Sequence, residues 1–150
     1  MDSEKILSSI DGLLNQQKSV DETLQQICKI LHAEVSHYDW VGFYMLDKTQ
    51  PVLVLGPYLG KPTEHIEIEV GKGVCGQVAE KASTMIVQDV SKMDNYIACS
   101  LDVQSEIVVP ILKNGKFVAE IDIDSHAFAP FTQRDEDLLE TIASKISYLF

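Results

Sequence analysis

Cysteine is scarce in this chain: three in 150 residues, at positions 28, 75 and 99, with no Cys-x-x-Cys pair among them. An odd count at wide spacing argues against a disulfide framework and against a zinc knuckle, and leaves the thiols reduced at rest. Long apolar runs are missing too, which excludes a membrane-spanning helix. The first residues, MDSEKILSSI, lack the basic head and apolar body of a secretory signal, so the expected compartment is the cytoplasm. Basic residues are outnumbered, 12 Lys and Arg against 23 Asp and Glu, and the net charge of -11 repels phosphate backbones and anionic lipid. Nucleic acid and membrane are therefore not expected partners. Five prolines and eight glycines are dispersed, with no linker, repeat or low-complexity tract, so residues 1–150 read as one domain. An apolar content of 45% suffices for a core of ordinary size.

What is present begins with helices. Ser3 to about Gln16 has a modest helical pattern interrupted by Gly12. Ser19 to about Val35 carries Val20, Leu24, Ile27, Cys28, Leu31 and Val35 on one stripe, started by a capping box of Ser19 and Glu22. Cys28 lies on that stripe and reads as a packing residue. Residues 1–36 thus form N-terminal helices, and 37–150 a sheet core with a closing helix.

From Asp39 the period becomes two. DWVGFYML, VLVLGPYL and HIEIEV read as strands, and GKGVCGQVAEKAS passes from a glycine-rich turn into a helix. TMIVQDV is a short strand, residues 91–104 are irregular, and EIVVPIL and FVAEIDID form a hairpin across Asn114 and Gly115. The last helix starts at Thr132 and aligns Leu138, Leu139, Ile142, Ile146 and Leu149. The predicted class is α+β, a central antiparallel sheet packed by N-terminal and C-terminal helices.

Alternation in the last strand sends Ala119, Ile121 and Ile123 to one face and Glu120, Asp122 and Asp124 to the other. A solvated outer face explains such a pattern in a lone strand. The hairpin register adds more. A strict two-residue turn places Ile107 opposite Asp122, whereas a three-residue loop or a bulge beside Gly115 puts Ile107 opposite Ile123 and Glu106 opposite Asp124. Keeping apolar faces together selects the second register. Glu106, Asp122 and Asp124 then share a patch where like charges raise each other's pKa, suited to binding an ammonium group or donating a proton. A divalent cation is the competing occupant, but two adjacent strands offer a flat patch and no cage, so no metal is expected.

Cys75 sits in a glycine-flanked turn at the start of a helix, whose positive end favours thiolate; the alternative is a small residue packed in a tight turn. Cys99, in DNYIACSLDVQSE, occupies a polar irregular stretch with Asp94, Asp102 and Glu106 nearby in sequence, which opposes ionisation. Trp40 and Tyr44 share a strand face with Gly42 between them. That spacing forms either a ring-walled slot for a thioether or methyl group, or ordinary core packing.

DWVGFY, LVLGPYLGK, VGKGVCG, NYIACS, SEIVVPI and EIDIDS, in this order and spacing, resemble the free methionine-(R)-sulfoxide reductases, single GAF domains that reduce the free amino acid. The resemblance runs from about residue 37 to the C-terminus and implies a GAF-like fold. It implies Cys99 as the nucleophile on the sulfoxide sulfur, Glu106 as proton donor, Asp122 and Asp124 as ammonium ligands, and Trp40 and Tyr44 as walls around the methyl group. A sulfenic acid on Cys99 is then condensed by a second thiol to a disulfide and reset by a dithiol reductant such as thioredoxin. Many relatives carry a further cysteine after the GPY-GK stretch, where this chain has Glu64 and His65. Cys75 is the family-matched resolving thiol that is left, and its disulfide with Cys99 forms within the chain or across a homodimer, the family's habit. Amphipathic N-terminal helices that could pair add to that expectation. No cofactor is implied. The alternative is a non-catalytic GAF module that senses a small amino-acid-like ligand; the lack of an attached output domain speaks against it.

Overall fold

The computed structural model describes residues 1–94 and 101–150. Helices α1 (Ser3–Leu14) and α2 (Val20–Glu34) come first, followed by strands β1 (Trp40–Leu46), β2 (Val52–Leu59) and β3 (Glu67–Glu69). Helix α3 (Gly73–Lys81), strands β4 (Met85–Val87), β5 (Ser105–Lys113) and β6 (Lys116–Ser125), and helix α4 (Gln133–Ile146) complete the chain. The strands form one six-stranded antiparallel sheet in the order β3-β2-β1-β6-β5-β4.

Local chemistry sets the helix ends. Ser19 accepts a hydrogen bond from the Glu22 N–H at 3.1 Å, which satisfies one of the free donors at the start of α2. At α4 the N3 carboxylate closes the cap: Asp135 Oδ2 accepts from the Thr132 N–H at 2.7 Å. The same side chain accepts from the Tyr38 hydroxyl and meets His37 Nε2, each at 2.8 Å, so one buried aspartate ties the segment between α2 and β1 to the start of α4.

Helices α1, α2 and α4 cover one face of the sheet. Ile6, Ile10, Leu24, Ile27 and Leu31 meet Phe43, Ile107, Ile121 and Ile123 there, joined by Leu139 and Ile142. The amphipathic faces of α1 and α2 are thus satisfied inside one chain, and their pattern gives no argument for pairing between chains. Cys28 belongs to this layer, as the stripe predicts. Of the alternating Ile66, Ile68 and Val70, only Ile68 is buried; Ile66 is 62% exposed because β3 spans just Glu67–Glu69.

The β5–β6 hairpin combines the two geometries that the sequence left open. Asn114 and Gly115 both have positive φ, 55° and 78°, in a two-residue turn that sets Lys113 opposite Lys116. The register then shifts by one between Ile111 and Leu112, where Val118 is the extra residue. Beyond the bulge Ile107 faces Ile123, Val109 faces Ile121 and Glu106 faces Asp124, the register that keeps apolar side chains on the helix-covered face. Among the described residues no helix is long and apolar enough to cross a membrane.

Candidate functional site

The second face of the sheet is the acidic one, and it is not solvated. Glu106, Glu120, Asp122 and Asp124 are all 0–2% exposed. Helix α3 lies across them, contacting both β5 and β6. The face is continuous with β1: Trp40, Gly42 and Tyr44 pair in register with Asp124, Asp122 and Glu120. Val108 and Val87, with Ile68 and Leu53 further out, supply an apolar border.

The first turns of α3 bring Cys75 onto the carboxylates. Its thiol donates toward Asp122 Oδ2 at 3.4 Å and lies 3.8 Å from Glu106 Oε1. Sequence reasoning expects the helix start to favour thiolate; the structure overturns that. Burial pushes the Cys75 thiol well above its ordinary value, and the charges of Asp122, Glu120 and Glu106 add to the rise. A helix end contributes only a partial charge, which burial beside three carboxyls outweighs.

Glu106, Glu120 and Asp122 are displaced in the same direction. Burial holds Glu106 well above the usual carboxylate range, assisted by Asp122 and Asp124. Burial likewise raises Glu120. Asp122 is also raised by burial, against a partial counter-effect from hydrogen bonding with Glu106 and Cys75. Glu106 Oε2, Asp122 Oδ1 and both oxygens of Glu120 have no hydrogen-bond partner among the described residues, and none of the ion pairs there involves these three side chains. Buried carboxyls without partners hold protons or wait for a cation. Glu120 is the member that sequence reasoning left without a role; the signal was its place in the Glu-x-Asp-x-Asp alternation opposite Tyr44.

The aromatic side differs from an open slot. The Trp40 ring stacks on Tyr58 at 5.3 Å and lies 6.5 Å from the Tyr44 ring, and its Nε1 donates to the Lys61 carbonyl at 3.0 Å. A Cβ on residue 42 would come within 2.4 Å of Trp40 Cη2. Gly42 is therefore needed for the indole to lie where it does, and the gap between the rings is filled by Trp40 itself. The Tyr44 hydroxyl donates to the His65 carbonyl at 2.7 Å, so His65 enters the site through its backbone. What space remains beside Tyr44, His65, Lys72, Cys75 and Asp122 is about 10 Å³, room for one water.

Comparison with known proteins bears on this geometry. The GAF domain family matches residues 19–148. The free methionine-R-sulfoxide reductase of Saccharomyces cerevisiae is 38% identical over 96% of this chain and 83% of its own length. Among solved structures, a type II free methionine-R-sulfoxide reductase from Thermoplasma acidophilum is 38% identical with a TM-score of 0.83, covering 86% of this chain and 90% of that one. The chain belongs to the free methionine-R-sulfoxide reductase family, on a GAF fold. A family structure from Neisseria meningitidis, in complex with its substrate, superposes at a TM-score of 0.91 with 32% identity, over 99% of this chain and 87% of that one.

Within this family assignment, six of the seven site residues named from the sequence are among the described residues. Cys75, Glu106 and Asp122 are brought together directly, and Asp124, Trp40 and Tyr44 share their face in register. Cys99, the sequence-predicted nucleophile, lies outside the described residues. Cys28 is remote from this face, fully buried, with its thiol pushed up to about 12 by burial.

Proposed function

We propose that the chain reduces free L-methionine-(R)-S-oxide to L-methionine by thiol chemistry. The observation that carries the reading is the cup of buried carboxyls with unsatisfied oxygens beside a thiol at 3.4 Å. An ammonium group brings three donors and a positive charge to such a cup, which relieves the like-charge crowding that burial imposes. Asp122 and Asp124 take the substrate ammonium, and Trp40 and Tyr44 flank its methyl group. Cys99 attacks the sulfoxide sulfur as the oxygen is protonated by Glu106, whose burial keeps a proton available near neutral pH. Methionine departs and Cys99 is left as sulfenic acid. The Cys75 thiol attacks that sulfur, a disulfide forms and water leaves. A dithiol donor such as thioredoxin reduces the disulfide, in a reducing compartment such as the cytoplasm, and the working assembly is a homodimer.

Substrate binding in this scheme requires side chains around Tyr44, Cys75 and Asp122 to give way, because the space between them admits only a water.

The test is methionine release by prereduced protein with no other enzyme present. One equivalent per chain from the R epimer is expected, and none from Cys99→Ser. Full turnover by Cys99→Ser with dithiothreitol would sink the assignment. Glu106→Gln is expected to slow release by about 100-fold or more, the usual share of a positioned acid. A carboxylate cup alone could also hold an amino acid without chemistry; tight binding of the sulfoxide with no methionine released would favour that sensor reading.

A further inference from the structure

A flat two-strand patch gives no reason to expect a metal, but the fold adds a third side to it. Helix α3 lowers a sulfur ligand onto the carboxylates, and Cys75 Sγ, a Glu106 oxygen and an Asp122 oxygen all lie within 4.8 Å of one another. Zinc bonds of about 2.3 Å to sulfur and about 2.0 Å to oxygen, at tetrahedral angles, require a sulfur-to-oxygen edge of about 3.5 Å. The edges here are 3.4 Å to Asp122 and 3.8 Å to Glu106. Glu120 supplies a second, separate observation. It is fully buried and lies against the Cys75 thiol, yet neither oxygen meets the distance and angle of a hydrogen bond among the described residues, so a fourth ligand, a third oxygen, is at hand.

We propose that Cys75, Glu106 and Asp122, completed by Glu120, form a binding site for a thiophilic divalent cation of the zinc type. The sulfur ligand selects against calcium and magnesium, which take oxygen ligands alone. Binding is ligand exchange without electron transfer: the Cys75 thiol loses its proton to solvent, a sulfur–metal bond forms, and protonated carboxyls release theirs as they bind. Lys72 at the mouth is paired with Glu69 at 3.4 Å, which offsets its repulsion of the incoming ion. Resting on the proposed function, the consequence is regulatory: the ion occupies the ammonium acceptor Asp122 and ties up the resolving thiol, so zinc inhibits competitively with the sulfoxide and leaves when Cys75 is oxidised.

The experiment uses prereduced full-length protein titrated with zinc, and with cobalt(II) as a spectroscopic stand-in. One ion per chain is expected, with a sulfur-to-cobalt charge-transfer band in the near ultraviolet that magnesium and calcium at equal concentration do not displace. Cys75→Ser and Asp122→Asn are expected to weaken zinc binding by about 100-fold or more, consistent with loss of a direct ligand. Cys28→Ser and Cys99→Ser retain the band. Circular dichroism of each variant verifies folding, and Cys75→Ala serves if the serine variant unfolds. Absence of binding at micromolar zinc, or a band that survives Cys75 replacement, overturns the proposal. Metal binding by a protein that reduces no sulfoxide even when metal-free and prereduced would instead sink the function reading and leave the metal site standing.

Discussion

Replacing Glu120 by Gln is expected to flatten the pH dependence of folding stability. Glu120 is fully buried, and burial holds its carboxyl well above the ordinary value of 4.5. In the unfolded chain the same group ionises at about that ordinary value. Above it the unfolded chain has lost a proton that the folded chain keeps, so rising pH favours unfolding by about 1.4 kcal/mol per pH unit for each retained proton. The contribution is fully present below the unfolded value and fades as pH climbs toward the raised folded value. Between 4.5 and pH 7 that amounts to at most about 3 kcal/mol from Glu120 alone. Glutamine keeps the shape and has no proton to release. Urea unfolding of prereduced parent and variant, from about pH 4.5 to about pH 7.5, measures the difference. The variant is expected to gain on the parent as pH rises, by at most about 1.4 kcal/mol per pH unit, until the raised folded value is passed. Burial raises Glu106 and Asp122 as well and tilts both curves the same way, so only their divergence isolates Glu120. Parallel curves would refute the reasoning, because they require Glu120 to ionise in the folded protein as it does in water.

Three further outcomes are expected. Cys28, with no exposed surface and its thiol pushed up to about 12, should resist iodoacetamide in the native protein and react only in urea; rapid native alkylation mapped by mass spectrometry would contradict its placement. Asp135→Asn should cost about 2–3 kcal/mol near pH 7, because an ionised acceptor serving Tyr38, His37 and the Thr132 N–H is lost. Burial opposes ionisation of Asp135, but the hydrogen bonds from Thr132, Tyr38 and His37 prevail and lower its pKa, so this cost should vanish as pH falls through the lowered folded value, with the sulfoxide kcat of folded protein unchanged. Gly42→Ala should displace the indole that it would otherwise meet at 2.4 Å; the chain's one tryptophan reports this as a shift in fluorescence and the KM for the sulfoxide changes, whereas unaltered emission would contradict the packing.

Much of the site was legible because its parts lie on one hairpin. The alternation of β6 and the need to keep Ile107, Val109, Ile121 and Ile123 on one face determine that Glu106 faces Asp124, whatever device absorbs the extra residue. That device, a bulge at Val118 three residues past the turn, was not legible, since a loop and a bulge satisfy the same pattern. Cys28 was readable from its helical stripe. Cys75 was misread because its sequence neighbours are glycines and a helix start, while what sets its protonation comes from residues 31 and 47 positions away.

From the sequence alone follow the helices with their caps, the strands, the hairpin register and the grouping of acids on one face, because each depends on periodicity and on residues close along the chain. Whether that face meets water or protein was decided by tertiary structure, when α3 crossed it. An alternating strand reads the same in either case. Only contacts between distant segments convert four solvated carboxyls into buried ones, fill the space over Gly42 with the Trp40 ring, and set a thiol among them; burial is a property of the assembled layers that no local pattern encodes.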